Sequence, residues 1–223
     1  MLTHPDDPRR VLVERGDLDP LALPAELRGY EIHLRATFDW GRGYLTNPHP
    51  DLGRAGSVCP FASASLTRER FFLAVQPGVP ADVREPAETL RFYRDWFLEL
   101  APRDQPSAQI TTILVLFPDI PADAVESLVD GVQALLKPEY VRMGLMIGEF
   151  HNGPPAKSGL WNRDFRPLRS PVPMLAMRHM VPTDYPFLRE DPEQARVYLE
   201  LFGDQVPAQL RDQVERERAV GTP

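Results

Sequence analysis

Residues 145–179 read LMIGEFHNGPPAKSGLWNRDFRPLRSPVPMLAMRH, and this stretch decides the fold. Leu145 to Phe150 and Met174 to His179 are apolar runs of strand length. The segment between them is rich in Gly, Pro and Arg. It opens on Asn152-Gly153, a hairpin dipeptide, but is too long for a tight hairpin. Each run ends at a histidine, His151 or His179. The loop between them bears Lys157, Arg163, Arg166 and Arg169. Loops placed by rigid strands are where binding and catalysis concentrate, so this segment reads as an active or cofactor site.

Upstream, Gln109 to Phe117 (QITTILVLF) is the strongest strand signal, β-branched and apolar. Arg70 to Val75 reads as a second strand. Pro86 opens a helix at the position where proline is tolerated. That helix shows an apolar face of Leu90, Tyr93, Phe97 and Leu100, with Trp96 beside it, and stops at Pro102. Another helix starts around Asp119-Ile120-Pro121, with Val125, Leu128, Val129, Val132, Leu135 and Leu136 on one face, and ends at Pro138. Val11 to Val13 reads as a short strand and Pro24 to Arg28 as the start of a short helix. Tyr30 to Phe38, which alternates loosely, reads as a strand, and Thr46 to Asp51 as a turn. Asp191 to Phe202 and Ala208 to Arg218 read as C-terminal helices. Strands and helices interleave, which predicts an α/β (or α+β) fold: a single domain with a mixed β-sheet and helices packed on it. Residues 1–50 read as a partly irregular N-terminal extension and residues 51–223 as the α/β domain.

The 223 residues, 43% hydrophobic, suffice for one core. A net charge of -7 argues against general nucleic-acid binding, whose footprint is basic. Lys137 and Lys157 are the only lysines, a bias toward arginine that a GC-rich coding sequence produces by itself. The single cysteine, Cys59, leaves no internal disulfide or cysteine-based zinc site and fits a reducing compartment. No apolar stretch approaches membrane-spanning length, and MLTHPDDPRR lacks the pattern of a secretory signal. The expectation is a cytoplasmic protein.

His151 follows an apolar strand and precedes a turn. It is either a metal ligand or proton carrier, or a loop histidine bonded to backbone. Glu149, two positions earlier on the same strand face, would orient its ring. His179 is either a ligand or a core histidine satisfied by a carbonyl, and Arg178 beside it points to the opposite face. His33 reads as a surface strand position. Cys59 is a buried small hydrophobe, a nucleophile, or a thiolate ligand to haem. A pairing of Cys59 with His49 or His179 would suit a transferase or hydrolase. Arg163, Arg166, Arg169 and Arg178 suit carboxylates or phosphates, or simply pair with surface acids. Trp161 and Phe165 cap a pocket or anchor the loop.

The order Cys59-Pro60-Phe61-Ala62, amphipathic helix, buried strand, second helix, Gly148-Glu149-Phe150-His151, arginine-bearing loop, Met177-Arg178-His179 resembles the YqcI/YcgG-type proteins, some of which are haem-dependent N-oxygenases. The resemblance spans about residues 55–185. Where that family has Leu-His-Pro and Asn-Pro-His, this chain has Phe-His-Asn and Met-Arg-His. The resemblance implies a haem cofactor with His151 as the iron ligand. Arg163, Arg166, Arg169 and Arg178 would meet its propionates, and Trp161, Phe165, Met174 and Met177 would wall it, with His179 and Cys59 in the same site. It implies oxidation of a small amine or guanidine at nitrogen and an external electron donor. A homodimer is the expected assembly, and charge and hydropathy leave neither nucleic acid nor membrane as partner. The alternative is a non-catalytic accessory or ligand-binding domain of a biosynthetic gene cluster, with structural histidines.

Overall fold

The computed structural model describes residues 1–19, 21–156, 162, 164–203, 205–208, 210 and 211. Its strands are β1 (Leu2–Thr3), β2 (Val11–Leu12), β3 (Phe71–Val75), β4 (Thr112–Leu116), β5 (Leu145–Phe150) and β6 (Met174–His179). Its α-helices are α1 (Glu31–Trp40), α2 (Ala62–Thr67), α3 (Arg84–Leu100), α4 (Gly131–Arg142) and α5 (Pro192–Phe202). The main sheet has the order β3-β4-β6-β5, with β3 parallel to β4 and β6 antiparallel to both of its neighbours. So β3, β4 and β5 run the same way, and their C-terminal ends share one edge of the sheet. β1 and β2 form a separate antiparallel pair, and Val13 bridges to Leu73. The result is a single-domain α/β fold.

Strand alternation sends successive side chains to opposite faces, and each face acquires its own core. Phe72, Ala74, Ile113, Val115, Leu145, Ile147, Leu175 and Met177 face α3 and α4. Phe71, Leu73, Leu114, Leu116 and Met174 face Leu27, Leu34, Phe38 and Leu45 of the N-terminal segment. Residues 1–50 therefore form most of one covering layer. A third cluster, including Tyr185, Tyr198 and Phe202, seats α5.

α3 and α4 are tied together by Tyr140, whose hydroxyl donates to the Leu90 carbonyl at 2.7 Å. Arg91 adds a bidentate pair with Glu139 at 2.9 and 2.7 Å. Gly144 closes the α4–β5 turn at φ 69, and a Cβ there would meet Arg103 at 2.6 Å.

The expected strands at β5 and β6 and the helix at α5 match the structure. Others do not. Tyr30 to Phe38 is helical, because Leu34, Thr37, Phe38, Gly41 and Leu45 are buried at spacings of 3, 4, 7 and 11, a helical face that outweighs the loose alternation; His33 therefore lies on a helix. Pro138 does not end its helix, which continues to Arg142. Proline removes the N–H that would bond residue 134, but Ala134 is exposed, so water can bond its carbonyl, while Tyr140 and Val141 are buried beyond the proline. Leu135, expected on the apolar face, is 45% exposed. The helix expected over Ala208 to Arg218 lies largely outside the described residues. No helix among the described residues is long and apolar enough to cross a membrane.

Candidate functional site

β5 carries His151 to the sheet edge where β3 and β4 also end, the edge at which α/β sheets bind ligands. The ring is 6% exposed and lies on the face of α4. Its Nδ1 accepts the Gly153 backbone N–H at 3.1 Å. The proton is then on Nε2, which donates to Asp130 Oδ1 at 2.9 Å. Asp130 ends a π-helical turn, Glu126–Asp130, that leads directly into α4. Such turns re-aim one side chain without ending a helix. Ser170 N–H donates to the His151 carbonyl at 3.0 Å, and Arg169 forms a parallel bridge with His151. The backbone on both sides of the ring is therefore fixed.

The carboxylate that orients this ring is Asp130, not Glu149. Glu149 is 1% exposed and shares the His151 face, as alternation requires. Asp130 escapes a local reading of sequence because it lies 21 residues before His151 and approaches from a different element.

His179 is 4% exposed on that same face, at the other end of β6. Its Nε2 donates to the Ala101 carbonyl at 2.6 Å, against the ring of Phe97 at 5.0 Å. Burial lowers its pKa, the Ala101 bond opposes that, and the Arg103 charge lowers it further. It is a neutral core histidine that ties β6 to the end of α3. Its Nδ1 is buried without a hydrogen-bond partner.

The remaining residues singled out from sequence divide between the two faces. Arg178 points away from His179 and forks onto Asp184, with both bonds at 2.7 Å. Burial pulls its pKa down, but the Asp184 carboxylate raises it by more. Cys59 is half-buried in the N-terminal layer, on the Arg178 side of the sheet. Arg169 is exposed and donates from Nε to the Asn152 carbonyl at 3.1 Å. Arg166 is half-buried and donates to the Phe165 carbonyl at 3.2 Å. Phe165 stacks on His49 at 4.5 Å and so anchors its loop to the N-terminal layer. Lys157, Trp161 and Arg163 lie outside the described residues. Met174 and Met177 cannot wall one pocket, since they are three apart on a strand and face opposite cores.

The residues present do not fit an iron-bound His151. Neither ring nitrogen has a lone pair to give unless the Asp130 or Gly153 contact breaks. Cys59, the other axial-ligand type, packs in the layer across the sheet from Asp130. A surface cavity of about 370 Å³ lies elsewhere, between the end of α4 and α5, where Arg142 is paired to Glu193 and Arg196 to Glu200.

Trp40, Tyr44, Gly148, Phe150 and Ala176, none of them given a site role from sequence, gather on the opposite face of β5 and β6. Trp40 ends α1, and Tyr44 lies in a second π-helical turn, Gly41–Leu45. The available signal was Gly148, a glycine inside a strand, which marks a bulge or a close approach.

The fold is a mixed sheet with helices packed on both faces, and a histidine locked by an aspartate at the C-terminal edge of its parallel strands. A family model described as a domain of unknown function, DUF6875, matches residues 34–213, and the chain belongs to that family. No curated protein matches it. No solved structure matches it either.

Proposed function

We propose that this protein is a non-catalytic ligand-binding domain, of the accessory kind found beside biosynthetic enzymes, in which the histidines are structural. The observation that carries this reading is that both ring nitrogens of His151 are already engaged, by Asp130 at 2.9 Å and Gly153 at 3.1 Å. A general base or an iron ligand needs an available lone pair. This ring instead fixes the β5 end to the start of α4, and His179 fixes β6 to the end of α3. Ligand binding is supported by the position of the loops at the C-terminal edge of β3, β4 and β5.

The rival reading is the haem-dependent N-oxygenase-like enzyme, with His151 on iron and a small amine or guanidine as substrate. Hemin titration followed by visible absorption separates the two. The accessory reading expects the same weak spectrum from wild type and His151→Ala. A Soret band near stoichiometric occupancy, lost in His151→Ala and kept in His179→Ala, would overturn it. The structural role has its own test, a double-mutant cycle on Asp130→Ala and His151→Ala in urea. Coupling of about 1 kcal/mol or more is expected, because the His151 ring is buried and in direct contact with Asp130.

A further inference from the structure

β5 is an edge strand, and on the side turned away from α4 its residues Met146, Gly148 and Phe150 are only half-buried, as are Ala176 and Arg178 of β6. Gly148 pairs directly with Ala176, so the middle of this patch carries nothing larger than a methyl group. Among the described residues, a Cβ added at Gly148 would meet only the Phe150 ring, at 3.4 Å. Glycine inside a strand weakens it, and its use there fits a close approach to the backbone.

An aromatic wall borders this flat floor. Phe150 meets Trp40 edge-on, with centroids 5.7 Å apart at 80°, and Tyr44 stacks on Trp40 at 5.9 Å. Trp40 Nε1 is held by the Arg169 carbonyl at 3.0 Å. Rings so arranged offer edges and faces to a further ring.

The Arg169 guanidinium supplies charge at the same end. Its Nε is bonded to Asn152, and it has no carboxylate partner among the described residues. Tyr44 is close enough to feel its charge: burial raises the Tyr44 pKa, and Arg169 works against that. At the opposite end of the patch, Arg178 is already neutralised by Asp184. An exposed, uncompensated cation beside an aromatic wall stands out in a chain of net charge -7. Arg169 is level with His151, three residues beyond Gly148, which sets about 10 Å between floor and cation at the usual strand rise.

We propose that this half-open face binds a flat aromatic or heteroaromatic small molecule carrying an acidic group. The rings would lie on the Gly148–Ala176 floor against Phe150 and Trp40, and the anion would lie on Arg169. This rests on the ligand-binding reading above and names its site and ligand class.

The test titrates the full-length protein with 1-anilinonaphthalene-8-sulfonate and with N-phenyl-1-naphthylamine, the same skeleton without the sulfonate. One equivalent of the sulfonate is expected to bind and to quench tryptophan fluorescence. Gly148→Leu, which fills the floor, should weaken both probes at least about tenfold. Arg169→Gln should weaken the sulfonate about tenfold and leave the neutral probe unchanged. Circular dichroism and thermal melts verify folding, and Ala176→Val replaces Gly148→Leu if the latter does not fold. Absence of binding to the folded protein, several equivalent sites, or affinity indifferent to the floor substitution would overturn the proposal. Haem uptake through His151 would sink the accessory reading and leave the probe result standing. Failure of the probes with His151-independent hemin spectra would remove only this site.

Discussion

On the face of β5 and β6 that meets α3 and α4, Leu145, Ile147, Leu175 and Met177 are at most 3% exposed, and the polar groups among them are tied to neighbouring elements. On the other face of the same strands, Met146, Gly148, Phe150, Ala176 and Arg178 are half-buried, with aromatic rings at one side only. The strands are shared, so strand propensity cannot explain the difference. It follows from what packs on each side: α4 runs along β5, whereas α1 and α2 chiefly cover β3 and β4. A closed face resists substitution and spends its polar groups on structure. A half-open face tolerates substitution and keeps groups available.

The sharpest way to break this contrast is to truncate one residue on each side. Ile147→Ala, on the closed face, should cost about 2–5 kcal/mol through lost burial and a residual cavity. Phe150→Ala removes a larger side chain but from a half-buried position, and should cost clearly less. Urea denaturation of both variants decides it; equal losses would mean that the two faces are equally packed.

Asp130→Ala should cost about 1–3 kcal/mol, because it strands the buried His151 Nε2–H. Asp130→Asn, which keeps an acceptor oxygen, should restore most of that loss.

pH probes the His179 end of the closed face. The folded His179 pKa is held below the ordinary histidine value by burial. As pH falls below about 6.5 the unfolded chain takes up a proton that the folded chain refuses, so stability is full above that pH and is lost below it, at up to about 1.4 kcal/mol per pH unit. His179→Gln, whose amide N–H reaches the position of Nε2 and can still donate to Ala101, should flatten the stability profile between pH 5 and 6.5. Denaturant midpoints at several pH values measure this.

The smallest effect belongs to the α3–α4 pair. The bonds from Arg91 hold the Glu139 carboxyl below its usual range. Its contribution is present above about pH 4.5 and is lost as pH falls through the depressed value. Glu139 is about a third exposed, so Glu139→Gln should cost under about 1 kcal/mol at neutral pH. Its profile should change only in the acid range, where the His179 profile is already low.

The sequence by itself determined β5, β6, the cores of α3 and α4, the α/β class and the alternation that sets Arg178 against His179. Each is a local pattern of apolar spacing that packing merely satisfies. Tertiary structure alone decided that Glu31–Trp40 is a helix, since the pattern favouring it extends past the segment into Gly41 and Leu45 and needs a sheet to pack against. It also decided that α4 runs through Pro138, because the orphaned carbonyl faces solvent and the residues beyond the proline are buried. The histidines were legible as residues of interest but not in their roles. Those depend on Asp130 and Ala101, which arrive from 21 and 78 residues away. The open face was least legible of all. Among the described residues it is defined by what does not cover Gly148 and Ala176, and only the placement of the described helices on the sheet settles that.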